Sequence, residues 1–481
     1  MKKVLLLALG DKHWTQFVLV MSEKLTKAGI PVVIAMESRL GEYQVFLKRI
    51  NYPAEIYYLT DFLEKQKQDS KRGGDVNDEF IAPMKTVMCD FNRLLFLGAS
   101  STLKNTCWQS TKDSISKYFN EIFEQNDIGV VVHDVVSTSI SYICYLKAVA
   151  NNIQYYGLVG ARVPDRYEIR KSIYEEDQEV KYLYEDIVNR VNPATADELA
   201  WAENYINTID DQIPTYMKSG ILNKISLSSF MNKKYLKLFA GTILYKLKED
   251  KDAQNIIIRE EPIRSVLRSY YRNLSRYVKK SIGKRFMEYV TKDWCENHNY
   301  YIYPLHYQPE ASTLIGSPHY NDQINFLINT AFSLPENHYL LVKEHISNYS
   351  YPKHKFYETI KMLPNVKLIA PDANIKQLIR DSKGVITLTS TAGFEALLLD
   401  IPVYMFGRVF YNFHPLCKVL TSWDELEKCL NDGLTSQDYN NLHFLIAYKR
   451  YTRPLALNFS EKDFLVADDL VNVISHEIVS K

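Results

Sequence analysis

The chain has no excess of charge of either sign. Its 58 Lys and Arg against 57 Asp and Glu leave a formal net charge of +1, which excludes a whole-molecule electrostatic footprint for nucleic acid and leaves local patches to be judged separately. It also has no paired cysteines. Cys89, Cys107, Cys144, Cys295, Cys417 and Cys429 are scattered, with no Cys-x-x-Cys and no histidine at zinc-finger spacing, so free thiols in a reducing compartment are expected. No apolar run approaches the ~20 residues a membrane-spanning helix needs. Met1-Lys2-Lys3 before Val4 to Leu9 has the outline of a signal peptide, but Gly10-Asp11-Lys12-His13 breaks the short apolar run, which reads instead as a first buried strand. No internal repeat or low-complexity tract is present. These absences point to a cytoplasmic protein, with peripheral attachment to the inner face of a membrane still open.

What is present is a globular composition, 46% hydrophobic and 24% charged over 481 residues, sized for two or three domains. The chain opens β-α-β: Val4 to Leu9, a helical pattern with Phe17, Met21, Leu25 and Ala28 on one face, a stop at Gly29, and a strand from Pro31 to Met36. Residues 70 to 80 are polar and carry Gly73-Gly74, which fits an exposed loop. A strand from Gly129 to Val132 runs into His133-Asp134, and an apolar helix from Ser139 to Ala150 and a strand from Gln154 to Val159 follow. Asp134 therefore stands at the carboxyl end of a strand, where open α/β sheets place ligand groups. It reads equally as a helix cap, because the helix must begin nearby.

From Arg166 to His298 long helical segments replace the alternation. Between Pro262 and Arg285, Arg264, Arg268, Arg272, Arg276 and Lys280 recur every four residues with no acid among them, beside Ile263, Leu267, Tyr270, Tyr271, Leu274 and Val278. On a helix this spacing makes one basic stripe, either a solvated face or a contact for an anionic membrane surface. Lys233 to Lys248 has a similar mixture. From Tyr301 the alternation returns, with strands at Tyr301 to Tyr303, Tyr339 to Val342, Val366 to Ile369, Gly384 to Leu388 and Val403 to Phe406, and a terminal helix within Lys462 to Lys481. The expected architecture is α/β: Rossmann-like doubly wound domains over 1–165 and 299–455, a helical insertion over 166–298, and a C-terminal helix over 456–481.

The densest chemical signal lies in Gly384 to Pro415. A buried strand leads through the polar turn Thr389 to Gly393 into a helix from Phe394 to Leu399. Free N–H groups and the helix dipole at such a turn favour a phosphate. Ser390 and Thr391 can cap the helix or donate to a ligand, and Gly393 leaves the backbone open to close approach; an ordinary capped helix reads equally well. Glu395 can accept from ribose hydroxyls or act as an N-terminal helix acid. Two further strand-end loops, His306 to Ser312 and Lys343-Glu344-His345, would meet this turn and His414-Pro415 at one sheet edge. Lys343, His345 and His414 can neutralise phosphate or protonate a leaving group. Asp250-Lys251-Asp252 has the Asp-x-Asp metal pattern but sits in a charged turn away from the strand ends, so neither a metal nor a cofactor is expected.

Gln308-Pro309-Glu310, Lys343-Glu344-His345, Ser390-Thr391-Ala392-Gly393-Phe394-Glu395-Ala396, Ile401-Pro402-Val403 and His414-Pro415 resemble the motif series of bacterial capsule-polysaccharide biosynthesis proteins. That family includes the retaining β-Kdo transferases, which use CMP-Kdo and have two Rossmann-like domains in the GT-B arrangement. The resemblance is specific over about residues 300 to 416. It is weaker over 128 to 169, where His133-Asp134-Val135-Val136-Ser137 and Arg162-Val163-Pro164-Asp165-Arg166 are similar to the family's acid-after-strand and Arg-Ile-Pro-x-Arg elements. Asp134 stands where family members often have Glu, and Ile346 where they usually have Pro.

The resemblance implies a glycosyltransferase moving a sugar from a nucleotide-sugar donor, CMP-activated and Kdo-like, to a growing capsule or lipopolysaccharide glycan or glycolipid. It implies nucleotide binding by Gln308, Lys343, Ser390, Thr391, Gly393, Glu395 and His414, acceptor binding near Arg162 and Arg166, and chemistry by Asp134, Glu310 and His345. A retaining enzyme would use Asp134 as nucleophile, an inverting one as general base. Two other readings stand beside it: another nucleotide-sugar enzyme such as an epimerase, and a non-catalytic scaffold subunit of a capsule assembly complex.

Overall fold

The computed structural model describes residues 2–9, 12–69, 80–173, 178–217, 233–249, 262–286, 288–345, 354–434, 439–457 and 464–479. The loop expected at 70–80, apart from Phe80, lies outside these residues, as do Asp250-Lys251-Asp252 and Ile346. The strands, in chain order, are β1 Lys3–Leu7, β2 Val32–Met36, β3 Glu55–Tyr58, β4 Ile128–His133, β5 Gln154–Gly160, β6 Arg166–Arg170, β7 Tyr300–Pro304, β8 Tyr339–Lys343, β9 Val366–Ile369, β10 Val385–Thr387, β11 Val403–Met405, β12 Cys417–Val419 and β13 Arg453–Pro454.

They form two sheets. The first runs β13-β6-β5-β4-β1-β2-β3, parallel from β3 to β5 and antiparallel at β6 and β13. The second runs β12-β11-β10-β7-β8-β9 and is parallel throughout. Parallel strands covered by helices on both faces must be apolar on both, and successive residues divide between two cores. Leu5 and Leu7 of β1 join one core while Val4 and Leu6 join the other, and in the second sheet Leu341 faces away from Leu340 and Val342. The fold is thus two Rossmann-like domains, the GT-B arrangement. Strand order reverses between β1 and β4 and between β7 and β10, and the carboxyl ends at these switch points are where such sheets hold ligands.

The span 166–298 does not fold as one insertion. Arg166–Arg170 is β6 of the first sheet. Val180, Ile187, Ala202, Tyr205 and Ile209, from the helices Glu179–Val188 and Ala196–Asn207 and the turn after them, enter the second domain's core with Phe444, Leu445 and Tyr448. Helix Lys233–Glu249 returns to the first domain, where Gln44 donates to Thr242 at 3.0 Å. Amphipathic helices bury whichever apolar face finds a partner, and here the partners lie in different domains.

The chain's end crosses back as well. After helix Asn441–Tyr451, β13 pairs with β6, and helix Phe464–Val479 packs on helix Lys12–Lys27, with Tyr156 donating to Glu477 at 3.1 Å. At this crossing the Tyr448 hydroxyl accepts the Arg162 N–H at 2.8 Å and donates to Glu168 at 2.5 Å. Glu168 is buried against Arg170, 2.6 Å away. Tyr448→Phe leaves a buried carboxylate and a buried N–H without this partner, so it should lower unfolding free energy by about 1–3 kcal/mol. A urea midpoint equal to that of the parent would show that the hydroxyl carries no such role.

Candidate active site

At the first switch point β4 ends in His133-Asp134. His133 is buried at 2% exposure, with Nδ1 3.2 Å from the Leu7 carbonyl oxygen and Nε2 2.9 Å from Asp134 Oδ1. The Trp14 ring meets the imidazole edge-on at 5.6 Å and donates its own N–H to Leu7 O at 2.7 Å. The imidazole is therefore wedged between β1 and β4 and holds the carboxylate, whose side chain stays 30% exposed. The next helix, Ser139–Ala150, is capped by Thr138 in a capping box with Ser141. Asp134 is therefore not the cap of this helix.

The two arginines expected beside it part company. His133 stands opposite Gly157 in the β4–β5 register, and the chain runs on past Gly160 to the buried Arg162. Arg166 instead donates to Thr452 Oγ1 at 2.7 Å, Lys449 O at 2.8 Å and Thr452 O at 2.5 Å. That guanidinium clamps the returning chain and is committed to structure rather than to an acceptor.

At the second switch point His306 accepts the Leu388 N–H at 3.2 Å and so joins β7 to β10. Burial, with His345 nearby, pushes its pKa down to about 3. Side chains alternate at the end of β8. Glu344 turns into the core, accepting from Tyr289 at 2.7 Å and from Tyr357, while Lys343 and His345 influence each other electrostatically. Burial, then the Lys343 charge, lowers His345 to about 4, so without a ligand the ring is uncharged at neutral pH. Lys343 is lowered to about 8 by burial, against the pull of Asp372, Glu344 and Glu395; it keeps most of its charge at neutral pH and donates to Pro371 O at 2.8 Å.

The helix Thr391–Leu398 begins at this edge. Ser390 caps it, its hydroxyl oxygen accepting the Ala392 N–H at 3.1 Å. A Cβ at Gly393 would lie 2.5 Å from the Tyr411 hydroxyl, so the glycine makes room for Tyr411, which donates to Ser390 O at 2.7 Å, and not for a ligand. Glu395, its side chain 13% exposed, lies 3.6 Å from Lys376 Nζ. Burial raises it to about 7, against the pull of Lys376 and Lys343.

Lys376 also donates to Ile209 O at 2.5 Å and Gln212 O at 2.6 Å, and Arg380 pairs with both carboxylate oxygens of Asp210 at 2.9 and 3.0 Å. The segment 209–217 is thereby tied to the second domain, and the Asp165 N–H donates to Thr215 at 2.9 Å to tie it to the first. Tyr216 ends the strap. Its hydroxyl is 2.8 Å from Thr391 Oγ1, and a Cβ on Gly160 would lie 3.3 Å from its ring. Although 36% of the residue is exposed, desolvation by the surrounding protein, then Glu310 and Glu395, raises the phenol's pKa, opposed by Arg162 and the Thr391 hydrogen bond. Tyr216 thus stands at the junction, against Gly160 of the first domain and Thr391 of the second, within electrostatic reach of Arg162, Glu310 and Glu395. It stands in the helical block where no sequence pattern singles it out.

Glu310 is exposed and accepts from Ser312 at 2.9 Å. Two expected ligand groups are otherwise occupied. Gln308 donates to Asn321 O and accepts from Gln323 at 2.9 Å. His414 is buried, accepts the Leu416 N–H on Nδ1 at 3.1 Å and faces Asn441 Oδ1 through Nε2 at 3.0 Å, with the Tyr439 ring at 4.1 Å; burial lowers it to about 4. Beside Gln308 a cavity of ≈ 860 Å³ lies between the domains, lined by Leu95, Phe96, Tyr271 and Phe356 with Arg268 and Arg272. Among the described residues no group of three or more His, Cys, Asp or Glu is placed to hold a metal.

Residues 260–451, less than half of the chain, match the family model described as capsule polysaccharide biosynthesis protein. Asp134 and Arg162 lie outside that match. No curated protein sequence matches the chain. Among solved structures it is similar to the β-Kdo 2,7 transferase and the β-Kdo 2,4 transferase of Thermosulfurimonas dismutans KpsC, each 13% identical, with TM-scores of 0.35 and 0.39 over 69% and 72% of this chain and 80% and 88% of those. A Methanocaldococcus jannaschii UDP-GlcNAc 2-epimerase in complex with UDP-GlcNAc and UDP is 10% identical over 99% of this chain and 100% of its own, with a TM-score of 0.29. At such scores the overlays carry no argument, and the fold rests on the sheet order itself.

The Glu395 carboxyl is raised from 4.5 to about 7, so near pH 6 the folded protein holds a proton that the unfolded chain has released. The associated stability is fully present below about pH 4.5 and is lost as pH rises through about 7. The thermal midpoint should therefore fall across that window in the parent and fall less in Glu395→Gln; equal slopes would sink the assignment.

Proposed function

We propose that this chain, similar over residues 260–451 to capsule polysaccharide biosynthesis proteins, is a glycosyltransferase. It moves a sugar from a nucleotide-sugar donor, CMP-activated and Kdo-like, to a growing capsule or lipopolysaccharide glycan. The observation that carries the reading is Asp134, at the first sheet's switch point, relieved of capping by Thr138 and held 2.9 Å from a buried imidazole. A partly exposed carboxylate in a fixed orientation at a ligand-binding edge suits attack on an anomeric carbon, because its geometry is set before the substrate arrives.

In the retaining course Asp134 forms a bond to the anomeric carbon as the bond to the nucleotide phosphate breaks, and the acceptor hydroxyl then displaces Asp134. His133 positions the carboxylate. The nucleotide lies against the second domain's edge, where Lys343 supplies positive charge and Thr391 opens the helix dipole toward the phosphate. Glu310, whose charge acts on Tyr216, is the second carboxylate and takes the proton of the acceptor hydroxyl as general base. Arg162 faces the same junction from the first domain and suits an acidic acceptor sugar. His414, enclosed by Tyr439 and Phe444, supports the helix Asn441–Tyr451 and has no part in binding.

Calorimetric titration with CMP, CDP, UDP and GDP tests the donor. Selective CMP binding, weakened roughly tenfold or more in Lys343→Met as expected for loss of one charged contact, is the expected result; no binding to any nucleotide would leave a scaffold role ahead. Asp134→Asn should bind CMP as the parent does yet transfer sugar at least about a hundredfold more slowly. A sugar adduct on Asp134 found by mass spectrometry would fit the retaining course, and product of inverted anomeric configuration would assign Asp134 as a general base instead.

A further inference from the structure

Helices Lys233–Glu249 and Pro262–Phe286 lie side by side: Asn273 donates to the Tyr235 hydroxyl, and the Tyr235 and Tyr270 rings meet edge-on at 6.0 Å. The first is pressed on the helix Leu40–Phe46 so closely that a Cβ at Gly241 would lie 2.3 Å from Tyr43 O, and Tyr245 is buried beside Tyr43. With that face committed, the opposite one carries Leu236, Phe239, Ile243 and Leu247, of which Leu236 is 68% and Leu247 77% exposed. Steps of three and four residues put all of them on one face.

The second helix departs from what the stripe of arginines suggests. Leu267, Tyr271, Leu274 and Val278 face outward, Tyr271 at 73% exposure. Arg268 and Arg272 are turned aside, Arg268 donating to Leu97 O at 3.0 Å at the end of helix Lys85–Leu97, and both line the interdomain cavity. What faces out is therefore an apolar row on each helix, bordered by Lys233, Lys237, Lys248 and Arg264, all exposed. No acid lies between Pro262 and Phe286.

We propose that these two helices form the face by which the protein lies on an anionic lipid bilayer. Apolar side chains bordered by cations complement the boundary between acyl chains and phosphate headgroups, and each basic residue near such a surface adds to the attraction. No described helix is long and apolar enough to cross a membrane, so the contact is interfacial. It places the cavity shared by Tyr271, Arg268 and Arg272 beside the membrane surface. The proposal does not depend on the transferase reading, since binding is measured without donor or acceptor.

The full chain is sedimented with vesicles of phosphatidylcholine alone and of phosphatidylcholine with phosphatidylglycerol. Binding to the anionic vesicles that weakens with salt is expected. Phe239→Ser with Leu247→Ser, and Leu267→Ser with Leu274→Ser, should each weaken it by on the order of tenfold or more, with circular dichroism unchanged because these side chains are exposed. Leu247→Trp should show a blue-shifted emission with anionic vesicles only. No binding, equal binding to neutral vesicles, or serine variants that bind like the parent would overturn the proposal. So would a parent dimer that the same substitutions split without any vesicle uptake, which would assign the face to a second copy of the chain.

Discussion

The Tyr448 hydroxyl is the point on which the two-domain arrangement turns. It stands on the second domain's last helix, accepts a backbone N–H from the first domain and donates to a carboxylate on β6, while its ring stacks on Phe410 at 4.2 Å. A buried hydroxyl with both roles filled is worth little net, yet leaving either partner alone in a dry interface is costly. The contact therefore acts mainly as a specification. It sets where the chain crosses back, where β13 pairs with β6, and which loops face each other across the junction.

Burial differs between the two switch points, and the difference divides their chemistry. Each is bridged by a buried histidine, His133 between β4 and β1 and His306 between β7 and β10. At the first, the neighbouring carboxylate remains partly in water. At the second, desolvation dominates: it keeps His306 and His345 uncharged, draws Lys343 down and Glu395 up. Groups with strongly shifted pKa values gather where binding sites are built, although structural pairs shift too. Lys376 serves structure, since three carbonyls of the 209–217 strap take its ammonium. Charge used to fasten a strap is not available to a ligand.

Positions in the candidate site were legible in proportion to how local their structural settings are. Asp134 and Lys343 follow strands whose apolar runs are evident, and a strand's end is a place readable from one segment. Ser390 was legible as a cap for the same reason. Gly393, Gln308, Arg166 and His414 read as ligand groups by type and position, but each is claimed by a partner far along the chain: Tyr411, Asn321, Thr452 and Asn441. Tyr216 went the other way. Nothing near it in sequence marks it, and its place comes from Lys376, Arg380 and Asp165 holding the strap across two domains.

The sequence by itself determined the alternation of buried strands and helices, and with it two doubly wound sheets and their ligand-bearing edges, because apolar periodicity acts over one element at a time. It left β3, β12 and β13 unmarked, since short edge strands carry little of that pattern, and β6 as well, which lies between β5 and the two-residue β13. Tertiary structure alone decided where the middle helices go, some to the second domain's core and some to the first domain's flank, and which way the helix Pro262–Phe286 is rotated. That rotation set Arg268 and Arg272 toward the junction and Leu267 and Leu274 toward solvent. A helix's stripe can be read from its spacing, but the direction the stripe faces depends on which neighbour buries the rest of the cylinder.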